Sequence, residues 1–383
     1  MSLRFESPRE NTWRGQCVAV LVAVLWFVIP VHVQADRLIL RDLRLLSNIT
    51  VIGFDEEGVK VTDNNLIPWH EIELGTISPD KQADFDRLRK ELGDPLFRIH
   101  QRLKVGDYAG AREPAEAIFD RYKNRDSKVA YMVCQATMWG RLAQGEREAA
   151  LEPYFCCLRI MKKSARTSEV TQLPGSRSLD YDKQTGLTSD MLPIFFDRDK
   201  AAQALPLAST AATSIGSSAP DGVLVYMASL AIAAEDFVQA ESWQKRIRSG
   251  NPTLKQWPII LTAQARIQTG DLIGARADLE PLIHSFETWN QPVAWYLLGI
   301  SGARSSEFLR IENGVLDLLH IPALYGNDYP ELAAAALSET YSAFNRVQQP
   351  EQAQDIRRQL LLFYGGTIHA QQLREATQSK SNP

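Results

Sequence analysis

Thr269 to Ala275 reads TGDLIGA, between PIILTAQARIQ (Pro258–Gln268) and ARADLEPLIHSF (Ala275–Phe286). Both arms place apolar residues three or four apart: Ile259, Ala263 and Ile267 before the turn, then Leu272, Ala275, Leu279 and Leu282 after it. That is a helical period. Gly270 followed by Asp271 is a helix stop followed by a helix start. The stretch therefore predicts a helical hairpin, with small residues where its two helices touch.

The turn recurs as VGDYAGA (Val105–Ala111), QGEREAA (Gln144–Ala150), AEDFVQA (Ala234–Ala240) and VQQPEQA (Val347–Ala353). Every copy closes on alanine. All but the last carry Asp or Glu in the third position, where a carboxylate favours a helix N-terminus. The closing alanines recur at about 35–39 residues or twice that, apart from a longer gap between Ala150 and Ala240; such periods belong to stacked helical hairpins. Downstream, helices are expected over Pro292–Gly302, over Ser306–Ile321 with Phe308, Ile311, Val315, Leu318 and Leu319 on one face, and over Pro350–Tyr364. Asp328 to Glu331 resembles a capping box opening a further helix.

The repeats resemble the tetratricopeptide family over roughly Asp84 to Thr377. In that family a small residue lies mid-way along the first helix, and an acidic–aromatic turn leads to an alanine early in the second. Ala263 with Ala275 and Ala228 with Ala240 fit those roles, and Tyr108 and Phe237 fit the turn aromatic. No copy has the family's full Trp-Leu-Gly-Tyr pattern. The resemblance implies a mainly α fold of stacked antiparallel helix hairpins, a TPR-like α-solenoid. Its repeats would span 79–163 and 222–377, and a protein or peptide partner would lie in a concave groove.

The long gap holds an insertion, 164–221, rich in Ser, Thr, Gly and Pro, with a short helix expected over Arg198–Ala208. Loops of this length are often functional. Its apolar stretch MLPIFF (Met191–Phe196) has two readings. Either it folds back onto the repeats, or it faces a ligand as a lid. On the second reading Met191, Pro193, Phe195 and Phe196 are candidates for partner contact.

Residues 36–78 look different. ITVIGF and VKVTD around DEEG (Asp55–Gly58) predict a β-hairpin, Asn64-Asn65 a second turn, and Ile67-Pro68-Trp69 the opening of a third strand. Trp69 reads as a core anchor or as a binding aromatic. Upstream, Arg4, Arg9 and Arg14 precede CVAVLVAVLWFVIPVHV (Cys17–Val33), which lacks Asp, Glu, Lys and Arg and leads into VQA. Residues 1–35 therefore read as a secretory signal cleaved after Ala35. The alternative is an uncleaved single-pass anchor, with membrane contact only through 17–33. Residues 378–383 are expected to form a short, polar, disordered tail.

An exported body would keep Cys134, Cys156 and Cys157, too few for a disulfide scaffold. Cys134 and Cys156 lie equally far from Gly145, at one height in an antiparallel hairpin. One bridge from Cys134 to Cys156 or Cys157 is thus an alternative to three buried thiols. The chain of 383 residues is 45% hydrophobic and 23% charged with net charge -4, which indicates a globular protein and argues against nucleic-acid binding. No His-Glu-x-x-His, Cys-x-x-Cys, Gly-x-Ser-x-Gly, Walker or Gly-x-Gly-x-x-Gly motif occurs. No catalytic residue, metal or cofactor is predicted. The reading is an exported helical-repeat scaffold that binds a protein or peptide. Its rivals are an enzyme or glycan-processing accessory with 164–221 as lid, and a membrane-anchored structural envelope component.

Overall fold

The computed structural model describes residues 36–62, 65–164, 174–175, 177–217, 219–248 and 250–381. The signal or anchor segment, Asn64 of the expected second turn and the last residues of the tail lie outside these. The chain is mainly helical with a small N-terminal β region, and it divides into two compact units after Arg89.

The first unit contains β1 (Asp36–Leu40), β2 (Leu45–Ile49), β3 (Val51–Asp55), β4 (Gly58–Val61), β5 (Asn65–Ile67), β6 (Ile72–Thr76) and helix α1 (Pro79–Leu88). Two antiparallel three-stranded sheets form, ordered β2-β1-β6 and β3-β4-β5. The DEEG hairpin is present, with Asp55 opposite Gly58. The third strand differs from expectation: β5 ends at Ile67 rather than opening there. Proline has no N–H for a ladder, and Pro68 turns the chain into a short 3-10 turn over Trp69–Glu71 before β6. Trp69 is fully buried. Its Nε1 donates to the Asp55 carbonyl at 2.6 Å, and its ring packs 6.1 Å from Phe54 and 5.4 Å from Phe85. It anchors the core of this unit and offers no surface to a partner.

The second unit opens with α2 (Asp94–Lys104), α3 (Tyr108–Tyr122), α4 (Lys128–Ala143) and α5 (Leu151–Ser164). Helix α6 (Arg198–Ile215) lies in the insertion. Then come α7 (Gly222–Ala233), α8 (Phe237–Gln244), α9 (Pro252–Gln268), α10 (Leu272–Leu279), α11 (Gln291–Ala303), α12 (Phe308–His320), α13 (Pro330–Arg346), α14 (Pro350–Phe363) and α15 (Ile368–Ser381). The helices pair as α2/α3, α4/α5, α7/α8, α9/α10, α11/α12 and α13/α14. The α11/α12 pair fills the doubled interval between Ala275 and Ala353. First helices of successive pairs are neighbours: α2 with α4, and α7, α9, α11, α13 and then α15 in series.

One backbone device joins five of these pairs. In TGDLIGA the Gly270 N–H bonds the Ile267 carbonyl at 3.1 Å and the Asp271 N–H bonds the Arg266 carbonyl at 2.8 Å. The same two bonds recur at Gly106, Gly145, Glu235 and Gln348 and the residue after each. This is the Schellman termination, whose penultimate residue is left-handed. The five second-position residues indeed have φ of 75, 71, 59, 87 and 57° in chain order. Asp107, Asp236 and Asp271 cap the following helix, accepting N–H bonds from Gly110, Gln239 and Gly274 at 2.8, 3.0 and 2.9 Å. The closing alanines 111, 150, 240, 275 and 353 are all buried.

Three expectations change. The arm after TGDLIGA stays helical only to Leu279. Pro281 interrupts it, giving a 3-10 turn over Glu280–Leu282. The insertion helix is longer than expected, running through an alanine-rich segment to Ile215 and stopping at Gly216, φ 87°. The capping box does not form: Tyr329 occupies the cap position of α13 without a side-chain bond. Glu331 is drawn away to accept the Ile368 N–H at the start of α15.

Candidate functional site

The second turn copy, QGEREAA, departs from the others. In the rest the helix begins at the fourth position, at Tyr108, Phe237, Leu272 or Pro350; here α5 begins only at Leu151. The freed residues Arg147 and Glu148 bind the insertion. Arg147 donates from Nε to the Ile194 carbonyl at 2.9 Å and from Nη2 to the Leu192 carbonyl. Glu148, 3% exposed, accepts the Phe196 and Asp197 N–H groups on one oxygen at 3.1 and 3.2 Å. Two tyrosines hold the same segment upstream. Tyr226 donates to the Met191 carbonyl at 2.5 Å and accepts from the Thr188 N–H, and Tyr154 donates to the Gly186 carbonyl at 2.7 Å. The helices thus hold an irregular stretch of their own chain, bent at Pro193, by its backbone groups.

Met191, Pro193 and Phe195 are buried by this arrangement, as are Leu192 and Ile194. The stretch folds back into the core, so these three residues are unavailable to a partner in this structure. Phe196 alone of the four is half-exposed. Its ring meets His369 edge to face at 5.0 Å and Tyr296 at 5.8 Å.

Cavities open along this stretch. One of about 460 Å³ lies between the QGEREAA turn, the start of α6, Glu331 and the start of α15. A second of about 250 Å³ lies between Ile194–Phe196 and the first helices α9, α11, α13 and α15. Its polar rim includes Gln268, Ser338, Gln372 and the Arg304–Glu339 pair. A third of about 410 Å³ adjoins at Lys200, and there Arg112 pairs with Glu146 and Arg141 with Glu116.

Burial raises the Glu331 carboxyl above its ordinary range, although Arg147 and the Ile368 N–H oppose this. Burial also lowers the Arg147 guanidinium. His369 is pushed down to about 4 by burial, with Glu339 opposing, so its ring is neutral at pH 7. These groups are occupied in holding backbone, apart from His369 Nε2, which is buried without a hydrogen-bond partner. Such an arrangement suits binding better than proton transfer: a base titrating near 4 is weak at neutral pH.

Among the described residues, Cys134, Cys156 and Cys157 are free buried thiols. The Tyr131 hydroxyl meets Met161 Sδ at 3.2 Å across α4 and α5, a register that puts Cys134 at the height of Cys156 and Cys157. The Cys134 side chain contacts both. Among the described residues, no group of three His, Cys, Asp or Glu side chains could hold a metal ion, and no helix is long and apolar enough to cross a membrane.

No protein-family model matches the chain, and no curated protein or solved structure does so. Sequence reasoning missed Arg147, Glu148 and His369, and read Glu331 only as part of a capping box. The available signal was Arg147 in QGEREAA, where the sister copies carry Tyr, Phe, Leu or Pro; the glutamate after it is shared with VQQPEQA.

Proposed function

We propose that the helical unit is a TPR-like array of stacked hairpins, an exported scaffold that binds an extended peptide or a protein segment along its first helices. It carries out no catalysis of its own and uses no cofactor. The observation that supports this most is the mode of holding Met191–Asp197. Arg147 takes two carbonyls, Glu148 takes two amides, and both tyrosines bond backbone. Side chains that read backbone groups accept many sequences. The same stretch leaves open the cavity facing α9, α11, α13 and α15. Successive first helices side by side make the kind of extended surface on which repeat proteins bind partners.

Export is part of the reading because Cys17–Val33 and VQA precede Asp36. The test is a cross-linking pull-down with the full chain carrying a photoreactive residue at the exposed Gln268, followed by N-terminal sequencing of the recovered chain. A cross-linked partner peptide and a new N-terminus at Asp36 are expected. Labelling confined to the chain itself would count against the binder.

A further inference from the structure

The outer face of sheet β2-β1-β6 is apolar. Ile39 stands opposite Leu45 of β2 and opposite Leu74 of β6, so the three side chains form one row across the sheet. They are 37, 58 and 52% exposed. The other face has no room for them: a Cβ on Gly75 would lie 2.4 Å from the Phe85 ring and 2.8 Å from Leu38. Leu43, on the turn joining β1 to β2, is 85% exposed and left-handed at φ 69°, a costly conformation for a leucine. The acids of β6 and of this turn are paired, Glu73 with Arg41 at 3.4 Å and Asp42 with Arg44 at 2.6 Å. Arg37, two residues before Ile39 on the same face, is exposed and has no acidic partner among the described residues.

Two observations bear on what covers this face. The apolar run Cys17–Val33 ends three residues before Asp36, where β1 begins. Three residues span at most about 10 Å, so the sheet starts within that reach of wherever the run lies, and a secretory segment or an anchor enters a bilayer. The row is also small. A stable protein interface uses about 20–30 residues a side, whereas a few aliphatic side chains beside an unpaired cation suit the boundary between lipid headgroups and acyl chains.

We infer that the outer face of sheet β2-β1-β6 lies on an anionic lipid bilayer, with Ile39, Leu43, Leu45 and Leu74 in the headgroup–acyl boundary and Arg37 on a lipid phosphate. The contact is peripheral. It adds to any hold through residues 17–33 and, after cleavage at Ala35, takes the place of that hold. It goes beyond the groove reading and does not depend on it.

The test uses the full chain with vesicles of phosphatidylcholine and phosphatidylglycerol, some carrying brominated acyl chains that quench fluorescence on contact. An environment-sensitive fluorescent residue replaces Leu45 or, as the comparison, Lys60, which is exposed on the other sheet. Quenching at Leu45 should exceed that at Lys60 by at least about three-fold. Leu43→Ser combined with Leu74→Ser, both at exposed positions, should cut it about two-fold or more. Arg37→Glu should cut it about two-fold on vesicles containing phosphatidylglycerol, and less in high salt. Equal quenching at the two positions would overturn the docking. A blue-shifted but unquenched label at Leu45 would mean a protein cover: a second copy if the shift fades on dilution, residues 17–33 if it does not. Either would overturn the lipid. Quenching indifferent to the paired serines would overturn the row as the contact, and indifference to Arg37→Glu would overturn the lipid phosphate. No outcome touches the groove reading, because both labels lie in the first unit.

Discussion

QGEREAA and TGDLIGA share a backbone and differ in use. Both end a helix with the same pair of turn bonds and a left-handed glycine, and both close on a buried alanine. In TGDLIGA the next helix starts at Leu272, Asp271 caps it, and Ile273 is 66% exposed. Nothing covers Gly270. In QGEREAA the helix start slips to Leu151, Glu146 turns to Arg112, and Arg147 with Glu148 grips the insertion. Gly145 is covered: a Cβ there would lie 2.7 Å from Ile368. The termination motif fixes only the turn's backbone. Delaying the helix by about one turn frees side chains and amides, which in this copy bind another stretch of the chain.

The largest break in this contrast should come from Arg147→Met. It leaves the Ile194 carbonyl without its donor and the Leu192 carbonyl with only the Ile194 N–H at 2.8 Å, costing about 2–4 kcal/mol from about 1–3 for the orphaned group and some lost packing. The same residue at the equivalent place, Leu272→Met, conserves volume and should cost less than about 1 kcal/mol. Denaturant midpoints compare the two, and limited proteolysis of the Arg147 variant should show new cuts within 186–197. Equal midpoints would mean that the insertion is not held by this turn.

The regular turn was legible because its physics is local. Glycine, a capping acid and a small residue follow one another within seven positions, and each acts on its own neighbours. The same holds for the DEEG hairpin. The hold on Met191–Asp197 was not legible, since Arg147 meets Ile194 and Glu148 meets Phe196 only after a long excursion of chain. His369 was hidden for the same reason. Its neutrality depends on burial by α13, α15 and Phe196, and a lone histidine near a C-terminus carries no pattern. Pro281 could have been read, since it stands at the residue where the expected helix gives way.

A second contrast lies in acid. The divergent turn is covered by the start of α15, where His369 titrates near 4 instead of at the ordinary 6.5. A histidine depressed by folding binds protons more weakly in the folded state than in the unfolded one. Stability is therefore lost as pH falls from about 6.5 to about 4. Glu331 acts the other way: its raised carboxyl favours the folded chain at low pH and loses that advantage as pH rises. His369→Gln removes the first effect and keeps the second. Between pH 7.5 and 4.5 the unaltered chain should lose about 1–3 kcal/mol more than His369→Gln, read from urea midpoints at each pH. Parallel pH profiles would place His369 in solvent. No such pH term is expected from TGDLIGA, which has no histidine beside its open glycine.

The finest comparison is at the second position itself, where every copy is left-handed but only some carry glycine. A side chain there costs about 1–2 kcal/mol of backbone strain, partly offset because glycine's unfolded chain is freer by about 0.5–1 kcal/mol. Gly270→Ala, with open space around it, should therefore destabilise by only about 1 kcal/mol. Gly145→Ala bears the same strain and also drives a methyl into Ile368, so about 2–3 kcal/mol is expected. The reverse change should help. Gln348 is exposed with φ 57°, and Gln348→Gly should stabilise by about 0.5–1 kcal/mol. Glu235, φ 59°, has an ion pair with Arg198 at 3.0 Å. Losing that surface pair, worth about 0–1 kcal/mol, should cancel much of the gain from Glu235→Gly. Four midpoints in one denaturant series order these effects. If Gln348→Gly destabilised the chain, the left-handed second position would not be the shared feature of the five turns, and the likeness between QGEREAA and TGDLIGA would reduce to their alanines.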